Sequence, residues 1–132
     1  MSGSFEPRWI TKRGLLILHD RSLALHGGLE GLRDEGLLES ALTRPPNRFH
    51  YEGVEDLSAL AATYVCAISE NHPFVDGNKR AAFLAAGLFL SKNGYSLQAE
   101  QADAALVMFA VAAGRKGLEE LTDWIGARIR SA

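Results

Sequence analysis

His72-Pro-Phe-Val-Asp-Gly-Asn-Lys-Arg-Ala-Ala-Phe-Leu-Ala-Ala-Gly-Leu-Phe-Leu90 changes character at its midpoint. Up to Arg80 it carries a base, a carboxylate, a glycine turn, an amide and two cations. From Ala81 to Leu90 it is apolar. That pattern predicts a loop feeding the N-terminus of a buried helix over Asn78 to Lys92. An α-helix N-terminus offers N–H groups without intrahelical partners and a partial positive charge. Lys79 and Arg80 in the first turn oppose that dipole, whereas the usual place for such residues is the last turn. A bound anion, above all a phosphate chain, removes the conflict. The stretch therefore predicts a helical fold and a phosphate site at once.

The neighbouring sequence supports an all-α reading. Ile10 to His26 reads as a first helix with Leu15, Leu16, Leu18, Leu23 and Leu25 as its apolar set, stopped by Gly27-Gly28. Asp34 to Leu42 reads as a short second helix, ended by Pro45-Pro46. Arg44 to Glu55, with Phe49, His50 and Tyr51, is the one stretch with strand character. Leu57, Leu60, Ala61, Tyr64, Val65 and Ile68 follow the i, i+3, i+4, i+7 rule and predict a third helix ending near Asn71. The fourth, Asn78 to Lys92, is apolar all round and so is expected at the centre, capped by Asn93-Gly94. Ala102, Leu106, Phe109, Ala110 and Ala113 mark a fifth helix; Leu118, Leu121, Trp124, Ile125 and Ile129 mark a sixth. The expected fold is all-α: about six helices around a central apolar one, in a single domain over residues 1–132, with a short flap hairpin as an option at 44–55.

Composition narrows the classes of function. With 47% hydrophobic and 23% charged residues, the chain has the balance of a globular domain. A net charge of −2, with dispersed Lys and Arg, gives no support for direct nucleic-acid binding. The one cysteine, Cys66, lies on the third helix and is expected to be a buried, inert thiol. Met1-Ser-Gly-Ser-Phe-Glu-Pro7 has no apolar signal core, and no apolar run reaches the roughly 20 residues of a membrane span. The expectation is a cytoplasmic protein with no membrane partner.

Each polar residue of the motif has a chemical reading and a plainer one. His72 is a candidate general base for a Ser or Thr hydroxyl, or a helix-end histidine bonded to backbone. Asp76 is a candidate Mg²⁺ ligand, since Mg²⁺ takes one or two carboxylates plus phosphate oxygens; it also suits an N-cap. Gly77 lets backbone approach a phosphate, or simply makes a turn. Asn78 holds a phosphate oxygen or braces the loop. Lys79 and Arg80 neutralise phosphate charge, or form a solvated pair. Phe74 is expected to anchor the loop in the core. His19, His26, Trp9 and Trp124 show no metal-ligand spacing or cage pattern.

The motif resembles the Fic motif, His-Pro-Phe-x-Asp/Glu-Gly-Asn-x-Arg, of the Fic/Doc superfamily. Lys79 stands where most Fic enzymes have glycine, as in the Doc (death on curing) toxins. His26-Gly-Gly, Leu32-Arg-Asp-Glu-Gly-Leu-Leu-Glu-Ser-Ala-Leu42 followed by Pro45, and Asn93-Gly94 also look like Doc-family sequence, so the likeness covers roughly residues 10 to 128.

The resemblance implies an enzyme that uses ATP and Mg²⁺. Fic proteins typically transfer AMP with the help of a second arginine at what is position 83 here; this chain has Phe83. Doc toxins share that departure. They imply a kinase that passes the γ-phosphate to a threonine of elongation factor Tu and arrests translation. AMP transfer is the alternative, and an inactive anion-binding module a third reading. The family also has a flap that docks its target by strand pairing. Arg44 to Glu55 occupies that place, as a strand through Phe49 to Tyr51 or as a packed loop, with Asn47 and Arg48 as target contacts by position. The family's inhibitory helix pattern has no match here: near Glu70-Asn71 the required Ser or Thr is Cys66. A Phd-like antitoxin acting in trans is the implied partner.

Overall fold

A computed structural model describes residues 5–132; residues 1–4 lie outside it, and with them part of the N-terminal segment read above. The helices are α1 (Lys12–His26), α2 (Glu35–Glu52), α3 (Leu57–Asn71), α4 (Asn78–Lys92), α5 (Gln101–Ala112) and α6 (Leu118–Gly126). Two short strands, β1 (Tyr95–Leu97) and β2 (Ile129–Ser131), pair antiparallel with Leu97 opposite Ile129. The chain is thus all-α with a small ribbon.

The first three helices begin with side-chain caps. Thr11 Oγ1 accepts the Gly14 N–H, Asp34 Oδ1 the Leu37 N–H and Asp56 Oδ1 the Ser58 N–H. Each supplies one of the N–H acceptors that a helix start lacks. α1 starts two residues later than its apolar pattern suggested: Thr11 is its extended N-cap, and Ile10 ahead of it sends its N–H to Tyr64 Oη at 3.3 Å.

The core forms around α3 and α4. Leu60, Ala61, Ala62, Tyr64, Val65, Ala67 and Ile68 of α3 are buried, as are Ala81, Ala82, Ala85, Ala86, Phe89 and Leu90 of α4. α4 therefore shares the centre with α3, which also packs against α2, α5 and α6. The alanines allow close approach, and the larger rings fill the ends. Trp9 stacks on Phe89 with centroids 5.7 Å apart, and Phe49 meets Trp9 edge-on at the same distance.

The second-helix expectation fails instructively. α2 does not end at Pro45-Pro46 but runs through both to Glu52, so Arg44 to Glu55 holds no strand and no flap hairpin. Each proline removes an i→i−4 bond, and an interior proline typically costs about 3 kcal/mol. Tertiary contacts hold the helix together across this site. Pro45 is buried, Arg44 pairs with Glu70 of α3 at 3.0 Å, and Arg48 donates to Thr63 Oγ1 at 2.8 Å. Gly53 in the left-handed region then ends the helix. Phe49 packs inward and Tyr51 is exposed.

α5 presents a different face from the one expected. Ala104, Val107 and Met108 are buried, while Leu106 and Phe109 are exposed. A helix that is apolar on every side carries no periodic signal to choose its buried face. Ile129 belongs to β2 rather than to α6. No helix among the described residues is long and apolar enough to cross a membrane.

Candidate active site

The motif loop begins where α3 ends. His72 is its C-cap at φ 50°, ψ 55°, the only non-glycine residue with positive φ among those described. Left-handed backbone is unfavourable for a side chain with a Cβ, although histidine tolerates it better than most residues. Several bonds hold this geometry. Arg33 Nε donates to the His72 carbonyl at 2.7 Å and its Nη2 to the Asn71 carbonyl at 2.8 Å. The Pro73 carbonyl accepts the N–H groups of Arg33 and Asp34, and Val75 N–H reaches the Gly31 carbonyl. The segment before α2 thus straps the loop down.

Inside the loop, Asn78 is buried and uses both ends of its amide. Oδ1 accepts the Phe74 N–H and Nδ2 donates to the Phe74 carbonyl, each at 3.0 Å. These bonds fix the amide's orientation, so it is Nδ2 that lies 3.2 Å from His72 Nδ1. The amide donates there, and in the neutral ring the proton sits on Nε2. Asn78 therefore braces the loop and orients His72. Phe74, 1% exposed, anchors the loop in the core as expected.

His19 of α1 supports the loop from below. It is 2% exposed, stacks on Phe74 with centroids 3.8 Å apart, and donates from Nε2 to the Asp76 carbonyl at 2.8 Å. Gly77 lies above it at φ 73°, where a Cβ would stand 3.3 Å from His19 Nε2.

Asp76 is not the N-cap of α4; Gly77 holds that position, and no side chain caps the helix. The Asp76 carboxylate accepts the Leu29 N–H through Oδ2 at 3.1 Å and the Gly77 N–H through Oδ1 at 2.8 Å. The Leu29 and then the Gly77 bond hold its pKa below the usual carboxylate value, with Arg80 and His19 adding to the effect. Each oxygen keeps a lone pair, so Asp76 suits a cation that takes its remaining ligands from phosphate. Among the described residues no group of three or more His, Cys, Asp or Glu side chains forms a self-sufficient metal site.

The two cations are placed differently. Arg80 Nη1 reaches the Ser22 carbonyl and Oγ at 3.3 Å, and Nη2 reaches the Gly27 carbonyl at 3.0 Å. It ties α4 to the end of α1. Lys79 is exposed, with Nζ 5.0 Å from the centre of the Phe109 ring. Phe83 is half-buried against the core.

His72, Asp76, Gly77, Asn78, Lys79 and Arg80 all line one open cleft of about 300 Å³ over the uncapped start of α4. A second cleft, about 590 Å³, adjoins the first and shares Ser69, His72 and Ala112 with it. Asn47 is exposed, and Arg48 lines this second cleft. Cys66 lies there too, half-buried, with burial the main cause that pushes its thiol pKa up. Sequence reasoning gave neither His19 nor Arg33 a role in the site. The one signal for His19 was its place on the α1 stripe with Leu15, Ser22 and Leu23, where a polar ring needs a partner.

The family model described as the Fic/DOC family matches residues 9–90. The chain is 41% identical over 87 residues to "Protein kinase doc" of Escherichia phage P1, covering 66% of this chain and 69% of that protein. It is 40% identical over 87 residues to "Toxin Doc" of Mycolicibacterium smegmatis, covering 64% and 65% respectively.

Proposed function

The chain belongs to the Fic/DOC family, and from that footing we propose that it is a toxin: a protein Ser/Thr kinase that moves the γ-phosphate of ATP to a threonine of elongation factor Tu inside the cell, and is restrained by a Phd-like antitoxin. The observation that carries the reading is a single cleft joining an uncapped helix N-terminus, a tethered carboxylate and a braced histidine. Free N–H groups at the start of α4 suit phosphate oxygens.

In the proposed reaction the acceptor hydroxyl oxygen attacks the γ-phosphorus. Its bond to that phosphorus forms as the bond to the β–γ bridging oxygen breaks, and ADP leaves. The hydroxyl proton passes to His72 Nδ1, where the acceptor replaces the long contact from Asn78. Mg²⁺, when bound at Asp76, would offset charge on the phosphates. Lys79, swinging off Phe109, would add positive charge beside them. Phe83 offers no second guanidinium for the arrangement that AMP transfer uses, and this favours γ-transfer.

The test is transfer from ATP labelled at either the γ- or the α-phosphate to purified elongation factor Tu, with and without Mg²⁺. The proposal expects γ-label only, and only with Mg²⁺. Label from the α-position would establish AMP transfer instead.

A further inference from the structure

We propose that Arg33 is a positioning residue for the transfer: it clamps the backbone around His72 and so aims the imidazole into the phosphate cleft. This rests on the reading of His72 as the base.

Three consecutive carbonyls accept hydrogen bonds from this one residue. Nη2 donates to the Asn71 carbonyl at 2.8 Å, Nε to the His72 carbonyl at 2.7 Å, and the Arg33 N–H to the Pro73 carbonyl at 2.7 Å. The bridge between Leu32 and Phe74 extends the pairing by one more residue.

The clamp sits where the backbone needs it. Asn71 closes α3, and His72 takes the left-handed conformation that helix ends usually give to glycine. α2 ends in that usual way, at Gly53. Glycine has no imidazole, so a histidine in this conformation must be held there by its surroundings. The last carbonyls of a helix lack intrahelical partners and carry partial negative charge. α3 has no basic residue in its last turn, and Arg33 brings a cation there from 38 positions away. Among the described residues no carboxylate pairs with Arg33, so these carbonyls are the partners of its charge.

Arg33 lines neither cleft, so it acts through His72 and not on nucleotide or acceptor. Two anchors divide the work. Arg33 fixes the His72 backbone and with it the direction of the Cα–Cβ bond. Asn78 Nδ2, 3.2 Å from Nδ1, fixes the ring.

The test compares the natural protein with Arg33→Met and Arg33→Lys. Both guanidinium bonds lie at the exposed surface, where water can replace the donors, so both variants should fold, as thermal unfolding will check. Single-turnover transfer to elongation factor Tu is measured at saturating ATP, with γ-label and with α-label. Arg33→Met should slow it at least tenfold, since a small misplacement of a reacting group is enough for that. Affinity for a non-hydrolysable ATP analogue, read by calorimetry, should stay within twofold. Arg33→Lys keeps a cation without the fork and should recover part of the rate. In NMR spectra of Arg33→Met, the His72 Cα and Cβ signals and the Asn78 side-chain amide should move. A natural rate, or unmoved His72 signals, in folded Arg33→Met overturns the proposal. So does a rate loss matched by lost nucleotide affinity, or an Arg33→Lys protein no faster than Arg33→Met. Transfer of α-label in place of γ-label would end the kinase reading and leave the same comparison in force, because the clamp serves the base in either reaction. If neither label is transferred, the transfer reading has failed and the His72 signals alone decide the clamp.

Discussion

His19 Nε2 lies 2.8 Å from the carbonyl oxygen of Asp76, across 57 positions of sequence. That bond, with the stack on Phe74, fixes the height of the loop that carries the proposed phosphate site. It makes α1 part of the site although α1 lines neither cleft. His19→Ala removes the ring and leaves a buried carbonyl unpaired. It should destabilise the fold by on the order of 2–4 kcal/mol and raise KM for ATP. His19→Gln keeps a donor and should recover part of the KM. Unchanged melting and KM in His19→Ala would mean that the loop holds its place without this support.

Asn78 makes two bonds to the Phe74 backbone and one to His72. Asn78→Ala leaves the buried Phe74 N–H and carbonyl without partners, each loss worth about 1–3 kcal/mol. Chemical denaturation should show a lower midpoint with an unchanged slope. At temperatures where the variant is folded, kcat should fall further than nucleotide affinity, because His72 loses its orienting contact. A fall in nucleotide affinity alone would instead make Asn78 a phosphate ligand.

Acid should loosen the loop through Asp76. Its folded pKa lies below the ordinary value of 3.8, because the carboxylate accepts the Leu29 and Gly77 N–H groups. A depressed carboxyl contributes stability above the unfolded value and loses it as pH falls through the folded one. Amide exchange at Leu29 should therefore speed up below pH 3.8 relative to distant amides. In Asp76→Asn, which offers one acceptor oxygen where the carboxylate offers two, that exchange should be faster at neutral pH and insensitive to acid. Acid-insensitive exchange in the natural protein would contradict the tether.

Alkaline pH should weaken the fold through Tyr64. Burial pushes its hydroxyl from 10.0 up to about 12, despite the bond from Ile10. A raised folded pKa means full stability below pH 10 and progressive loss as pH climbs toward 12. The shift of about two units corresponds to about 2.7 kcal/mol. Tyr64→Phe should flatten the decline of stability between pH 10 and 12; an equally steep decline would place the alkaline limit elsewhere.

The sequence carried the motif loop and the span of α3 and α4, because the signals there are local: Pro73, Gly77 and dense apolar spacing. The continuation of α2 through Pro45-Pro46 was hidden, since it depends on Arg44 and Arg48 reaching α3. The flap strand disappeared with it. The buried face of α5 was hidden because Leu106 and Phe109 are as apolar as Val107 and Met108. The β1–β2 ribbon joins two three-residue segments far apart in sequence, too short for alternation to register. Within the site, all six motif residues share one cleft, while His19 and Arg33 were given no role there because their partners lie far along the chain.

The central claim is that the cleft transfers phosphate with His72 as base. It is tested most directly by single-turnover transfer from γ-labelled ATP to elongation factor Tu, comparing the natural protein with His72→Ala. His72 is exposed and its backbone bonds do not use the imidazole, so the variant should fold and bind nucleotide as before. Transfer should slow by about 10²–10⁴-fold. Transfer at the natural rate by a folded His72→Ala protein would contradict the account.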